Sequence, residues 1–409
     1  MSTAQSVSHA ATRRGWETDR WLLLIALLLV GAGLVMVLSA SQAFAYQVYH
    51  FALYLFLKQL LLAALGLVLM FALARVDYHR LRQYAPALAV VTLVLMLLVL
   101  VPGVGVLVNG ARRWFSLSVL GTFQPSELGK LAFALFMAHW VDKRGRRLTS
   151  FADGLLPFTI ILTFVLAVLL MQRDLGTALV TCAIFLSIYF VGGGPKRYLP
   201  LLALALVAGL LLVVVTESYR AQRLETFLDP FKDPLGAGFQ SHQALLGLGS
   251  GGLTGVGLGH SVQKYGWLPA AHTDFIFAII GEETGLLGTT AVLAGFVALA
   301  VRGYRAAMRA PDRFGMAVAA AITTWISFQA LINMGTVTDT LPITGVPLPF
   351  ISYGGSALAI TMAATGILLN IASQGKSHPY PRRRIDAALD IGRRDRRTPV
   401  TGARRRSGV

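Results

Sequence analysis

The chain has 409 residues, of which 55% are hydrophobic and only 13% charged. With a mean hydropathy of +0.65, that composition excludes a soluble domain and points to an integral membrane protein. A formal net charge of +17 would suit nucleic acid, but the placement of the basic residues argues for a membrane instead.

A helix crossing a bilayer needs about 20 apolar residues. Ten stretches approach that size: 21–39, 51–74, 85–102, 124–141, 153–171, 174–192, 198–216, 275–301, 314–337 and 354–373. The expected fold class is therefore an all-α integral membrane protein with about ten transmembrane helices over residues 21–373. A polar segment, 1–20, carries Arg13, Arg14 and Arg20 ahead of the first span. Ala43-Phe44-Ala45 after that span has the small-x-small look of a signal-peptidase site, but the 17-residue apolar run Leu22 to Leu38 is longer than a usual signal core. A retained first helix is expected. Glu127 and Lys130 interrupt the start of the fourth span, and only Gln172-Arg173 separates the fifth from the sixth, which forces a tight turn. The single cysteine, Cys182, lies within an apolar span, so neither a disulfide framework nor a cysteine metal site is available. The tail 374–409, with Pro379, Pro381 and the clusters Arg382 to Arg384 and Arg404 to Arg406, reads as a disordered, basic cytoplasmic segment attracted to the membrane.

If the N-terminus is cytoplasmic, 27 of the 36 Lys and Arg residues fall on inside segments. The positive-inside rule then puts both termini in the cytoplasm. The longest interruption, 217–272, must face outward between the seventh and eighth spans, and a loop of that length tends to be functional. Tyr219 to Leu228 has a helical pattern, and Asp229-Pro230 and Asp233-Pro234 break the chain immediately after it. The string Gly247 to Gly259 is so rich in glycine that its backbone permits close approach and positive φ. Two readings stay open: it lies against a phosphate or sugar, or it packs a re-entrant segment into a membrane crevice. It is not a Walker loop, because no Gly-Lys-Ser/Thr closes it.

Asp274 stands in Trp267-Leu-Pro-Ala-Ala-His272-Thr-Asp274-Phe-Ile-Phe, where this polar loop returns to an apolar helix. A carboxylate at a membrane boundary is costly and is a functional candidate by default. The bland alternative is an N-cap at the start of the eighth helix.

Several motifs follow one another in order: Arg223-x-x-x-Phe-x-Asp-Pro230, Gly249-Ser-Gly-Gly252, Gly255-x-Gly-x-Gly259, Pro269, His272-Thr-Asp274-Phe and Gly281-Glu-Glu283. Arg113-Trp114, Gln124-Pro-Ser-Glu127-x-x-Lys130, Asp174-Leu-Gly-Thr177 and Pro347-Leu-Pro349-Phe-Ile-Ser352-Tyr-Gly-Gly355 stand with them. In place as well as in type this set resembles the SEDS family (shape, elongation, division and sporulation). The segment Gly255 to Lys264 looks more like the division members than the elongation members. Two positions depart from the pattern: Arg173 replaces a usual proline, and Asp339 replaces a common glycine.

The resemblance implies a SEDS-type fold with a large outer loop and polymerisation of lipid II, an undecaprenyl pyrophosphate carrying a disaccharide-peptide, on the outer face of the cytoplasmic membrane. It implies an inverting glycosyltransferase in which Asp274 is the base. Arg113, Lys130, Arg223, Lys264 and His272 are the candidate substrate-binding residues, and Glu127, Asp174, Glu283 and Ser352 the candidate supporting ones. The ordinary readings stand beside these: solvated loop charges for the outer cations, packing for His272, and a structural pair for Lys130 with Glu127 or Asp174. Glu282 and Glu283, about 12 to 14 Å along the helix from Asp274, are too deep for base work. No metal-ligand spacing demands a cofactor, although a divalent cation, magnesium or manganese, held by Asp274 and Asp229 would suit a pyrophosphate. A class B penicillin-binding protein and other division proteins are the implied partners, at the septum. A lipid II transporter, the elongation polymerase of the same family and a non-enzymatic division scaffold are the competing functions.

Overall fold

The computed structural model describes residues 19–108, 110–117, 121–198 and 238–377, together with isolated positions between 200 and 236. Helices α1 (Arg20–Tyr49), α2 (Tyr54–Arg75), α3 (Tyr78–Leu98), α4 (Pro125–Arg144), α5 (Leu156–Met171) and α6 (Leu175–Val191) form the first part of the bundle. After a short helix α7 (Phe239–Gly251) come α8 (Ile276–Arg309), α9 (Arg313–Val337) and α10 (Ser356–Ser377). Nine of the ten expected spans thus coincide with helices; the seventh, 198–216, lies almost wholly outside the described residues, as do Tyr219 to Asp233 save Phe227 and the tail from 378. Among the described residues seven helices are long and apolar enough to cross a membrane, counting α5 together with the helical turn Phe151–Leu155 that precedes it. The helix α4 carries Glu127 and Lys130, and α6 has only 17 residues.

A helix start exposes unpaired N–H groups that lipid cannot satisfy, and aspartate meets that need four times here. The carboxylates of Asp19, Asp77, Asp174 and Asp312 accept from backbone N–H groups at the starts of α1, α3, α6 and α9. At one end of the bundle Arg302 on α8 pairs with the cap Asp19 at 2.5 Å, and Arg82 on α3 bridges to Asp142 on α4 at 2.7 Å. The first helix runs unbroken through Ala43 to Ala45, so those small residues are helical.

The core lies at α9 and α10. Their apolar windows are 72% and 89% buried, whereas the other candidate spans are buried by 39% or less. Helix α2 packs along α10, α8 along α9 and α1, and α6 against α9. Outer faces such as Val68, Val90 and Ile160 are exposed apolar surface, as lipid contact requires.

Two features were not anticipated. Between α3 and α4 the chain forms an antiparallel sheet, β1 (Val106–Val108), β2 (Ala111–Leu117) and β3 (Gly121–Phe123), with β2 central. The all-helical expectation holds for the membrane bundle but not for this connection. Helix α8 is also broken at Gly285 (φ 66°, ψ −162°). The carbonyls of Glu282 and Glu283 accept instead from Val256 and Gly257 at 2.9 and 3.1 Å, and the N–H groups of Leu286 and Leu287 donate to Gly252 and Leu253 at 2.9 and 3.2 Å. The glycine-rich string therefore packs backbone to backbone into a helix break, which satisfies polar groups that lipid would leave bare.

That contact generates a stability prediction. Gly255 has φ +80°, and a Cβ there would sit 2.2 Å from the Glu283 carbonyl oxygen. Gly255→Ala should cost roughly 2–4 kcal/mol and lower the Tm of the purified protein, while Gly249→Ala, with nothing within 4 Å, should leave it unchanged.

Candidate functional site

The loop that ends at Asp274 is fixed from three sides. The Asn333 amide on α9 donates to the Asp274 carbonyl at 2.7 Å and to the Val346 carbonyl at 2.8 Å. The Ser352 hydroxyl donates to the Thr273 carbonyl at 2.6 Å and accepts from Leu348 N–H at 2.8 Å, and Tyr353 N–H donates to the His272 carbonyl at 2.9 Å. Residues 338–355 thus re-enter the bundle as irregular chain, with Leu348, Phe350 and Ile351 buried. Gln329 supports this re-entry by donating to the Pro347 carbonyl at 2.9 Å, and Gln59 by donating to the Ser352 carbonyl at 3.1 Å.

Asp274 itself is half-buried, and a Cβ built on Gly345 would lie 3.6 Å from its Oδ2. The N-cap position of α8 is Phe275, which makes no side-chain capping bond. Beside Asp274, the His272 ring lies 4.7 Å from Phe44 and 5.9 Å from Tyr353. Burial pushes the His272 imidazole down to about 4, so it is neutral at physiological pH. Burial, with Tyr49 and Tyr54 nearby, pushes the Tyr353 phenol up to about 12. Tyr49 and Tyr54 stack at 4.1 Å, and Lys58 sits 4.5 Å over the Tyr54 ring. Aromatic rings with a cation at Tyr54 therefore lie along the loop that carries Asp274, a surface suited to sugar rings and phosphate.

Lys264 is placed differently from the expectation of an open substrate cation. It is buried, donating to Glu283 at 3.0 Å, to the Gly259 carbonyl at 2.6 Å and to Ser39 on α1 at 3.2 Å. Glu282 accepts from the Ser261 hydroxyl and from Val262 N–H at 2.9 Å. Both carboxylates thus anchor the 259–264 segment to α8 rather than face Asp274. Lys130 is 1% exposed and pairs with Glu127 at 2.7 Å, donates to Gln329 at 2.7 Å, and lies 4.9 Å over the Trp325 ring. Of the two expected partners, Glu127 is the one present. Asp174 accepts instead from Gln124 at 2.9 Å and from Thr177 N–H at 3.1 Å, with Arg113 at 4.0 Å.

Arg113, carried by β2, donates to the Gln172 carbonyl at 2.9 Å and to the Arg173 carbonyl. Arg223 and Asp229 lie outside the described residues. The described residues contain no group of three or more His, Cys, Asp or Glu side chains suited to a metal. Gln329, Asn333, Gln59, Lys58 and Tyr353 were missed by sequence reasoning. A signal existed for the first two: amides four residues apart share one face of an otherwise apolar helix, and polar groups within a span mark function or structure.

Comparison with known proteins decides the family. The family model described as a cell cycle protein, spanning FtsW, RodA and SpoVE, matches residues 19–377. The chain belongs to the FtsW, RodA and SpoVE family. A probable peptidoglycan glycosyltransferase FtsW of Geobacter metallireducens is 41% identical over 361 residues, covering 88% of this chain and 96% of that protein. The stage V sporulation protein E of Bacillus subtilis is 40% identical, covering 88% and 98%. Among solved structures, one titled as structural coordination of polymerization and crosslinking by a peptidoglycan synthase complex matches with TM-score 0.73 and 31% identity, covering 89% of this chain and all (100%) of that one. The rod shape determining protein RodA of Thermus thermophilus matches with TM-score 0.64 and 29% identity, covering 89% and 99%.

The electrostatics of the site yield two predictions. Lys130→Met strands a buried carboxylate and should cost about 3–5 kcal/mol, measured by thermal unfolding; adding Glu127→Gln should recover most of that loss. For His272, the unfolded state binds more protons than the folded state between its folded value of about 4 and the ordinary value of about 6.5. Its contribution is therefore present above that ordinary value and lost as pH falls towards the folded one. A Tm series across this window should show a shallower acid decline for His272→Gln than for wild type.

Proposed function

We propose that this protein is a peptidoglycan glycosyltransferase that polymerises lipid II on the outer face of the cytoplasmic membrane during cell division, with Asp274 as general base. The observation that supports this most is the Asp274 loop: a half-buried carboxylate whose backbone is clamped by Asn333 and Ser352, next to the aromatic wall of His272, Tyr353 and Phe44. A base held by its own main chain is preorganised, and such groups contribute typically about 10²–10⁴-fold to rate. The acceptor's 4-hydroxyl oxygen attacks the anomeric carbon of the donor while Asp274 takes the hydroxyl proton. The bond from that carbon to the pyrophosphate oxygen breaks, its electron pair leaves with the lipid pyrophosphate, and configuration inverts.

Cations are needed where that negative charge emerges. Lys264 is committed to Glu283, so the role passes to Arg113, Lys58 and Arg223. Lys130 and Glu127 reach the site through Gln329 and the re-entrant chain and therefore hold its shape. A cytoplasmic location of both termini supplies the outward orientation this chemistry requires. The division assignment rests on similarity to the FtsW relatives, and a class B penicillin-binding protein is the natural partner for crosslinking the strands.

The buried charges at Glu127, Lys130, Glu282 and Glu283 also favour a second reading, movement of lipid II between leaflets. Purified protein given lipid II, with its penicillin-binding partner, separates the two. Wild type should yield glycan chains and Asp274→Asn should lose at least about 10²-fold of that rate. Polymerisation unchanged in the variant would remove Asp274 as base, and lipid translocation without glycan would favour the transporter.

A further inference from the structure

A cleft of about 780 Å³ opens at the opposite end of the bundle from Asp274, lined by Trp140, Lys143, Arg144, Arg147 and Asp153. It lies where α4 ends and the chain turns into α5, at the end that carries the Arg82 to Asp142 bridge. Neither the chemistry at Asp274 nor the helix caps use it. Three cations face one carboxylate there, and Lys196 and Arg197 extend the positive surface, because the Phe151 and Tyr198 rings are 6.3 Å apart.

Solvated positive-inside charge would explain cations alone, but three further observations point to a bound headgroup. Arg144 is held in place: its guanidinium stacks 4.3 Å over the half-buried Trp140 ring and donates to the Asp153 carbonyl oxygen. A preorganised guanidinium suits phosphate. Trp140 sits at the helix end, where an indole favours the membrane interface. Leading away from the cleft, α5 presents Leu156, Ile160 and Phe164, exposed by 46%, 59% and 53%. Spaced four apart, they form one apolar stripe that starts beside the basic residues, the layout an acyl chain below a phosphate would take.

We propose that this cleft binds the phosphate headgroup of an anionic glycerophospholipid from the adjoining leaflet, with Lys143, Arg144 and Arg147 on the phosphate and an acyl chain along Leu156, Ile160 and Phe164. The occupant is a lipid rather than a free anion because the charged and apolar surfaces are continuous. Asp153 opposes excess negative charge at the cleft edge and restricts the site to headgroups that place phosphate on the α4 side. The site is independent of the glycosyl-transfer reading.

The full chain in detergent, titrated separately with phosphatidylglycerol, cardiolipin and phosphatidylcholine and read by native mass spectrometry, tests this. Wild type should retain the two anionic lipids and not phosphatidylcholine. Lys143→Gln with Arg147→Gln, both exposed in the wild type, should weaken that binding by roughly tenfold or more, and Arg147→Gln alone by about fivefold. The lipid-free Tm should stay unchanged in both variants. Arg305→Gln with Arg309→Gln, exposed basic residues outside the cleft, should bind as wild type does. The proposal is overturned by equal retention of phosphatidylcholine, by undiminished binding in the cleft variants, by an equal loss in the Arg305 and Arg309 control, or by displacement of the lipid with millimolar inorganic phosphate.

Discussion

One side-chain amide ties the loop of the candidate base to the re-entrant chain beside it. Asn333 Nδ2 gives one hydrogen to the carbonyl of Asp274 and the other to that of Val346. Those carbonyls belong to two irregular segments that both return into the bundle, and irregular chain at membrane depth survives only where protein replaces water as its hydrogen-bond partner. Gln329, one turn earlier on α9, does the same for Pro347 and also meets Lys130. The position of the candidate base is therefore a property of α9, the helix at the centre of the bundle, more than of the loop that carries the base.

The same constraint explains the distribution of charge. Among the described residues two lysines are buried, and each is matched to a glutamate and to further polar atoms: Lys130 to Glu127 and Gln329, Lys264 to Glu283, Ser39 and Gly259. An isolated buried charge would cost several kcal/mol, whereas paired and hydrogen-bonded ions roughly balance their desolvation. Through Gln329 the Lys130 cluster ties α4 to α9, and Lys264 ties its own segment to α1 and α8, so what these clusters contribute is register between segments. Lys264 locks the loop that precedes α8 onto α1 and α8.

Hydropathy located the described helices well because lipid demands apolar length and little else. It was silent on the sheet between α3 and α4, whose strands have three, seven and three residues and are too short to carry a pattern. The Lys130 partner was legible, since Glu127 lies one turn away on the same face. The Lys264 partner was not, because Glu283 comes from another element and proximity in the fold has no trace in spacing. Asp274 was legible through ordered motifs, while the amides that hold it were hidden in a span read only as apolar. The two departures from the family pattern acquire a shared meaning. Arg173 and Asp339 both have positive φ, at 58° and 55°. Asp339 keeps the backbone conformation that glycine favours, and Arg173 adopts one that proline, with φ fixed near −65°, is unable to reach.

The most buried of the described candidate spans is also the last of them in chain order. Helix α2 rests along α10, and nearly 300 residues of chain emerge between them. During synthesis the early helices must wait in the bilayer with their future contact surface facing lipid or an assisting insertase, and the core closes only once α10 arrives. Assembly of this protein is consequently a late, post-insertion event, and a ribosome that stops short of α10 releases a set of membrane helices that lack half of their core.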